Sequence, residues 1–303
     1  MKGVFFMSHC FTIGISTRAL FDLEKEHQIF MEQGAKKYVE YQVAHEQEVL
    51  APGPAFSLIQ AFLQLNECSQ ERQIEVVIMS KNSAEAALRI FHSIAYYGLD
   101  ITRAALTTGE AIAPYLEAYQ VDLYLSFSVQ DVRGALASGV AAGVLLPGRI
   151  ASAEPIRQIR IAFDGDAVLF SPEAEQVFVQ EGVEAFCASE QANAEIPLPP
   201  GPFAHVLRLI VRLQKQMADG AMQPMIRTAL VTARSAPAHE RVIRTLQAWG
   251  IRIDEVFFLG GMDKSRVLAA FGAHIFFDDN EQNTACAAQV VLSAQVPIVQ
   301  LIA

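Results

Sequence analysis

Short apolar runs alternate with amphipathic stretches along almost the whole chain. Runs at 11–16, 75–79, 104–107, 122–126, 159–163, 228–231, 255–259 and 274–277 have the length and content of strands. Between them apolar positions recur at helical spacing, most clearly over 83–97 and 237–249. Strand and helix in alternation predict an α/β fold, with parallel sheet flanked by helices.

The pattern also repeats. At one constant offset, Ser83-Ala84-Glu85-Ala86-Ala87-Leu88-Arg89 lies over Ser235-Ala236-Pro237-Ala238-His239-Glu240-Arg241. At the same offset Gly98 falls on Gly250, Ile101 on Ile253, Gly109 on Gly261, and Asp122-Leu123-Tyr124-Leu125 on His274-Ile275-Phe276-Phe277. Near the two starts, Ala19-Leu20-Phe21 matches Val168-Leu169-Phe170 at a slightly shorter offset. A period this long is no solenoid repeat. It predicts two α/β halves, 1–150 and 151–303, of related topology. One stretch, about 172–224, breaks the repeat with a polar run, the punctuation Pro197-Leu198-Pro199-Pro200-Gly201-Pro202 and an amphipathic helix carrying Phe203, Val206, Leu207, Ile210 and Leu213. It reads either as a hinge and small cap inserted after a catalytic strand or as an ordinary surface excursion.

Composition narrows the classes. The chain has 303 residues, 52% hydrophobic and 18% charged, enough to bury a large core. No run approaches the roughly 18 apolar residues of a membrane span, and the first ten residues read as the lead-in to a strand rather than a secretory signal. Cys10, Cys68, Cys187 and Cys286 show no paired spacing, so neither a disulfide framework nor a zinc site is expected, and a cytoplasmic setting fits. A net charge of −10 argues against nucleic acid as a partner. An acidic protein that handles a phosphate must draw local positive charge from a metal or from a few placed Lys and Arg.

Four strand ends carry candidate chemistry. The run Ile161-Ala162-Phe163 leads into Asp164-Gly165-Asp166, and two carboxylates kept that close suggest a cation. Ala229-Leu230-Val231 leads into Thr232, followed by a helix whose first turn would hold Ser235 and Pro237, a setting suited to phosphate oxygens. Gly260-Gly261-Met262-Asp263 sets Lys264 just past a flexible turn, and Phe276-Phe277 leads into Asp278-Asp279. Singly, each has an ordinary reading: Asp and Gly abound in turns, Thr232 could be a helix cap, and a lysine is usually surface. Together they would converge on one crevice, because ligands of an open parallel sheet bind beyond the carboxyl ends of its strands.

That order resembles the haloacid dehalogenase superfamily of phosphatases. More narrowly, Phe163-Asp164-Gly165-Asp166-Ala167-Val168-Leu169-Phe170-Ser171 and Val231-Thr232-Ala233-Arg234-Ser235-Ala236-Pro237-Ala238-His239-Glu240-Arg241 resemble the cytosolic 5'-nucleotidase type I family. The resemblance extends through Ile15-Ser16-Thr17-Arg18-Ala19-Leu20-Phe21-Asp22, Ser80-Lys81-Asn82-Ser83, Gly201-Pro202-Phe203 and Leu213-Gln214-Lys215, and departs at Pro172-Glu173. It implies a haloacid dehalogenase-like Rossmannoid sheet and magnesium-dependent hydrolysis of nucleoside 5'-monophosphates. Asp164 would be the nucleophile and Asp166 the acid and base. Mg2+ would be held by the Asp164 carboxylate, the Asp166 backbone carbonyl and Asp279, with Asp278 behind them. Thr232, Ala233, Arg234 and Lys264 would hold the phosphate or substrate.

The first half has Ser126-Phe127 where the second has Asp278-Asp279, and Ile15, Ser16 and Thr17 around the place of Asp164 and Asp166. It is expected to be catalytically blank and to lend Arg18, Lys81 or Asn82 to the nucleoside. A phosphatase for another small phosphate, such as a sugar phosphate, and a non-catalytic nucleotide-binding protein are the competing readings. The sequence leaves open base preference, nucleotide effectors and assembly into a homo-oligomer.

Overall fold

The computed structural model describes residues 10–148, 155–217 and 225–298. The expected strand lead-in, the junction between the halves and the end of the 172–224 stretch fall partly outside those residues. All eight predicted strands form, within a residue or two of their expected bounds: β1 (Phe11–Ile15), β2 (Ile74–Ser80), β3 (Arg103–Leu106), β4 (Leu123–Ser126), β6 (Ile159–Phe163), β7 (Ile226–Thr232), β8 (Glu255–Phe258) and β9 (Ile275–Asp278). Two more were not predicted, β5 (Ala141–Leu145) and β10 (Leu292–Gln295). The β5 sequence Ala-Ala-Gly-Val-Leu is rich in small residues, which carry little strand signal.

These two strands join everything. The ten strands make one sheet in the order β3-β2-β1-β4-β5-β10-β9-β6-β7-β8. Within each set of five all pairings are parallel, and β5 meets β10 antiparallel, with Leu145 opposite Ala294. Read outward from that seam, the two sets have the same order and connectivity.

Side chains alternate across the sheet as the pleat requires. Ile13, Ile15, Phe163 and Phe277 face one core that runs through both halves beneath the helices Phe56–Gln64 and Ala204–Met217. On the other face are two separate cores, one around Val77, Met79 and Tyr124, the other around Ala162, Ala229 and Phe276. No helix among the described residues is long and apolar enough to cross a membrane.

The structure corrects three expectations. First, the 172–224 stretch is not an insertion in the second half alone. The helix Glu173–Ala192, kinked at Gly182 (φ 86°), has a counterpart in the helix Glu24–Ala44, kinked at Gly34 (φ 83°). The bridge Phe170–Pro200 likewise matches Phe21–Pro52. A change of offset between the start and the middle of each half conceals this match in the sequence. Second, the amphipathic helix is no lid: Phe203, Val206, Leu207, Ile210 and Leu213 are all within 2% of full burial and belong to the shared core. Third, the helix expected over 237–249 begins only at His239, with Ala238 as its N-cap. Ser235 and Pro237 therefore lie in the loop before it.

The seam depends on Gly143. A Cβ there would lie 2.8 Å from the Ala294 Cβ and 3.3 Å from the Phe277 ring, closer than packed carbons tolerate. Gly143→Ala is expected to cost about 1–3 kcal/mol of stability, measured as a shift in the urea midpoint; an unshifted midpoint would mean that the two strands separate freely at this point.

Candidate active site

The four predicted strand ends do meet. Asp164 follows β6, Thr232 ends β7, Asp278 and Asp279 lie at the end of β9, and Lys264 precedes the helix Ser265–Phe271 after β8. The backbone fixes the floor: the Asp164 N–H donates to the Phe277 carbonyl at 2.8 Å. Gly260 (φ 58°) and Gly261 (φ 87°) take left-handed conformations open to glycine, which turn the chain so that Lys264 points back under the strands.

Lys264 is the hub. Its Nζ donates to Asp164 Oδ1 at 2.5 Å and to Asp278 Oδ2 at 2.6 Å, and all three groups are buried. Burial alone would lower the Lys264 pKa, but the charges of Asp164 and Asp278 hold it above its usual value. Asp278 is fully engaged, since its carboxylate also accepts from the Asn280 N–H at 2.8 Å and from the Asn283 side-chain amide.

Oxygens of Asp164, Asp278 and Asp279 lie within 4.8 Å of one another. One lysine does not neutralise three carboxylates, two of them buried and the third, Asp279, half-buried. Burial pushes Asp164 up to about 7, with Lys264 pulling against it and Asp278 adding to it. Burial and then Asp164 push Asp279 up to about 8. A compact all-oxygen set with surplus negative charge is the donor chemistry of a hard divalent cation, so the residues fit a metal.

Asp166 lies on a different network. Both its oxygens accept from Arg234, at 2.7 and 2.8 Å. Arg234 also donates to Glu190, which accepts from Arg241 at 2.7 Å through its other oxygen. Glu190 is 2% exposed and was not singled out from the sequence; it sits on the far side of the Gly182 kink, on a helix whose spacing gives no sign of the contact. Glu175, on the same helix, was missed as well: burial and Asp166 raise its pKa. Thr232 is buried beside the Asp164 loop, where a Cβ on Gly165 would lie 3.3 Å from its hydroxyl, and it accepts from the Arg234 N–H at 3.2 Å. Ala233 is exposed above it.

Arg18, Lys81 and Asn82 are not near this cluster. They follow β1 and β2, and the antiparallel seam sends the carboxyl ends of those strands to the opposite edge of the sheet from Asp164. They cannot share a small ligand with it. The expectation that they reach the same nucleoside fails because the two halves face opposite ways.

A buried acid cluster around one lysine, with a threonine and an arginine beside it, thus lies at the strand ends of the second set of parallel strands. A profile of the 5'-nucleotidase family matches residues 5–301, and the chain belongs to that family. Among characterised relatives, human cytosolic 5'-nucleotidase 1B is 37% identical over 278 residues, covering 89% of this chain and 46% of its own length. The chain thus spans about half of that relative. Among solved structures, histidinol dehydrogenase from Elizabethkingia anophelis aligns at 12% identity over 93% of this chain and 52% of its own, with a TM-score of 0.24, too low to indicate a common fold.

Two outcomes follow. A carboxyl group whose pKa is raised by folding stabilises the protein fully below its unfolded value and loses that contribution as pH rises through the folded value. In chelator, stability is therefore expected to fall from about pH 4 and level off above about pH 8. A divalent cation should restore more at pH 8 than at pH 6, and thermal melts across that range check both. Separately, Glu190→Ala leaves two arginines facing each other without their shared partner and is expected to cost about 3–5 kcal/mol by denaturant titration.

Proposed function

We propose that the chain hydrolyses nucleoside 5'-monophosphates to nucleoside and phosphate, using Mg2+ and Asp164 as nucleophile, on a haloacid dehalogenase-like sheet. The observation that carries this is the Asp164–Lys264–Asp278 cluster with Asp279 beside it, in a chain of the 5'-nucleotidase family. Asp164 and Asp279 would hold the metal, helped by the Asp166 carbonyl, while Asp278 orients Lys264 and waters. Bound there, the metal would neutralise charge on the phosphoryl oxygens.

An Asp164 oxygen attacks phosphorus as the bond to the ribose oxygen breaks, and Asp166 gives that oxygen a proton. Water then attacks the aspartyl-phosphate, Asp166 takes its proton, and phosphate leaves with Asp164 restored. Thr232, Lys264 and the Ala233 N–H would hold the phosphoryl oxygens throughout. In the resting geometry the Asp166 oxygens are both occupied by Arg234. Substrate must therefore draw Arg234 away, onto its own phosphate, before Asp166 can act.

The division of labour follows from the charges. The second half, 151–303, would be catalytic, its helix Glu173–Ala192 serving as the cap, and the first half, 1–150, blank: Ser16, Ser126 and Phe127 stand where the second half has Asp164, Asp278 and Asp279. Phosphate release from a panel of nucleoside monophosphates and sugar phosphates, with magnesium and with chelator, is the test. Release is expected from nucleotides, only with metal, and Asp164→Asn should lower it at least about 10³-fold while substrate still binds. Full turnover by Asp164→Asn would remove the nucleophile assignment.

A further inference from the structure

The first half repeats the frame of the active site without its charges. The Ser16 N–H donates to the Leu125 carbonyl as the Asp164 N–H does to Phe277. The Asn82 N–H donates to Ser80 Oγ as the Arg234 N–H does to Thr232 Oγ1, and the Ser128 N–H to Ser126 Oγ as the Asn280 N–H does to Asp278. The loop bonds Gly109 to Lys81 and Gly261 to Ala233 also correspond.

At this place the protein has a cavity of about 750 Å³, the size of a small-ligand site. Its floor carries Ser16, Asn82 and Ser83, and its walls include Leu23, Phe30, Val39 and Phe127. Three floor atoms, Ser16 Oγ, Asn82 Nδ2 and Ser83 Oγ, are buried with no hydrogen-bond partner in the protein. Leaving such groups unsatisfied costs about 1–3 kcal/mol each, so three together mark a place where something else completes the bonding. The Asn82 amide is also oriented: its oxygen accepts from the Tyr38 hydroxyl at 3.1 Å, and Gln42 holds that hydroxyl at 3.0 Å, which leaves the Asn82 NH2 for another acceptor.

The charges say what fits. No acid cluster for a cation exists here, because Asp131 is the one carboxylate lining the cavity and is paired with Lys81 Nζ at 2.6 Å. The other cation, Arg18, is held by Glu24 at 2.8 Å and lies over the Phe127 ring. Both cations are engaged by carboxylates of this half, so a phosphate would have to displace Glu24 or Asp131 to gain a positive partner and would keep Asp131 as a repulsive neighbour. An uncharged molecule with an aromatic ring and several hydroxyl and amide groups meets apolar walls and three waiting donors and acceptors.

We propose that this cavity is a second ligand site, which binds an uncharged nucleoside without metal and without turning it over. That ligand is of the class the proposed reaction releases, but the assignment rests on the first-half cavity and stands whether or not Asp164 is a nucleophile.

The test is calorimetric titration of the full chain, in chelator, with adenosine, inosine, cytidine and uridine, their 5'-monophosphates and inorganic phosphate. At least one nucleoside is expected to bind once per chain. The affinity should be unchanged in Asp164→Asn and at least about tenfold weaker in Ser16→Ala/Phe30→Ala. Ser16 caps its helix without a side-chain bond and Phe30 is 45% exposed, so both changes leave the fold intact, which circular dichroism checks. Phe30→Ala alone should weaken binding in the same direction. The proposal is overturned if no nucleoside binds a folded chain, if binding is lost in Asp164→Asn but not in the first-half variants, or if the monophosphates bind this cavity more tightly than the nucleosides.

Discussion

The antiparallel pairing of β5 with β10 governs what this molecule can do. Had the two five-stranded sets met parallel, the carboxyl ends of all strands would share an edge, and both halves could build one crevice. Meeting antiparallel, they form one continuous sheet with two crevices on opposite edges. Each half must then supply its own site from its own loops. The seam is narrow, because Gly143 and Ala294 pack where larger side chains would collide, and one core face runs across it without a break. The halves are thus mechanically one body and chemically two.

In the second half the arrangement is ruled by negative charge taken out of water. Three carboxylates and one lysine leave a surplus that burial makes costly, and the raised values of Asp164 and Asp279 express that cost. Such a set is poorly suited to standing alone and well suited to a cation. The neighbouring network has the opposite balance: Asp166 and Glu190 face Arg234 and Arg241, two acids against two bases, and it is electrically complete without any ligand. The boundary between a network that wants a cation and one that does not runs between Asp164 and Asp166, two residues apart.

Most of the fold was legible in the pattern of apolar runs, because a buried parallel strand announces itself by a continuous apolar stretch ending in polar residues. Of the two strands that were not legible, β10 (Leu-Ser-Ala-Gln) is half polar, and β5 is built of small residues, among them the Gly143 that the close approach at the seam requires. That omission had a consequence out of proportion to its length. Without the seam the relative direction of the halves is undetermined, and Arg18, Lys81 and Asn82 were assigned to the wrong edge. The cluster residues Asp164, Asp278, Asp279 and Lys264 could be found because each lies within a few residues of a strand end. Glu190 could not, because a kinked helix carries it to Arg234 from a distant point in the sequence.

The two halves keep the same backbone hydrogen bonds at their strand ends while differing in nearly every side chain there. Shared backbone means the crevice itself is a product of the fold and is present wherever the fold is. What the crevice binds is decided by a handful of substitutions at fixed positions: serine for Asp164, serine and phenylalanine for Asp278 and Asp279, asparagine for Arg234. Each exchange removes a formal charge, and where a hydroxyl or amide is left it keeps its hydrogen-bonding capacity. Without those charges the crevice offers little to a metal or a phosphate, yet it keeps a shaped, partly apolar cavity with unsatisfied polar atoms on its floor.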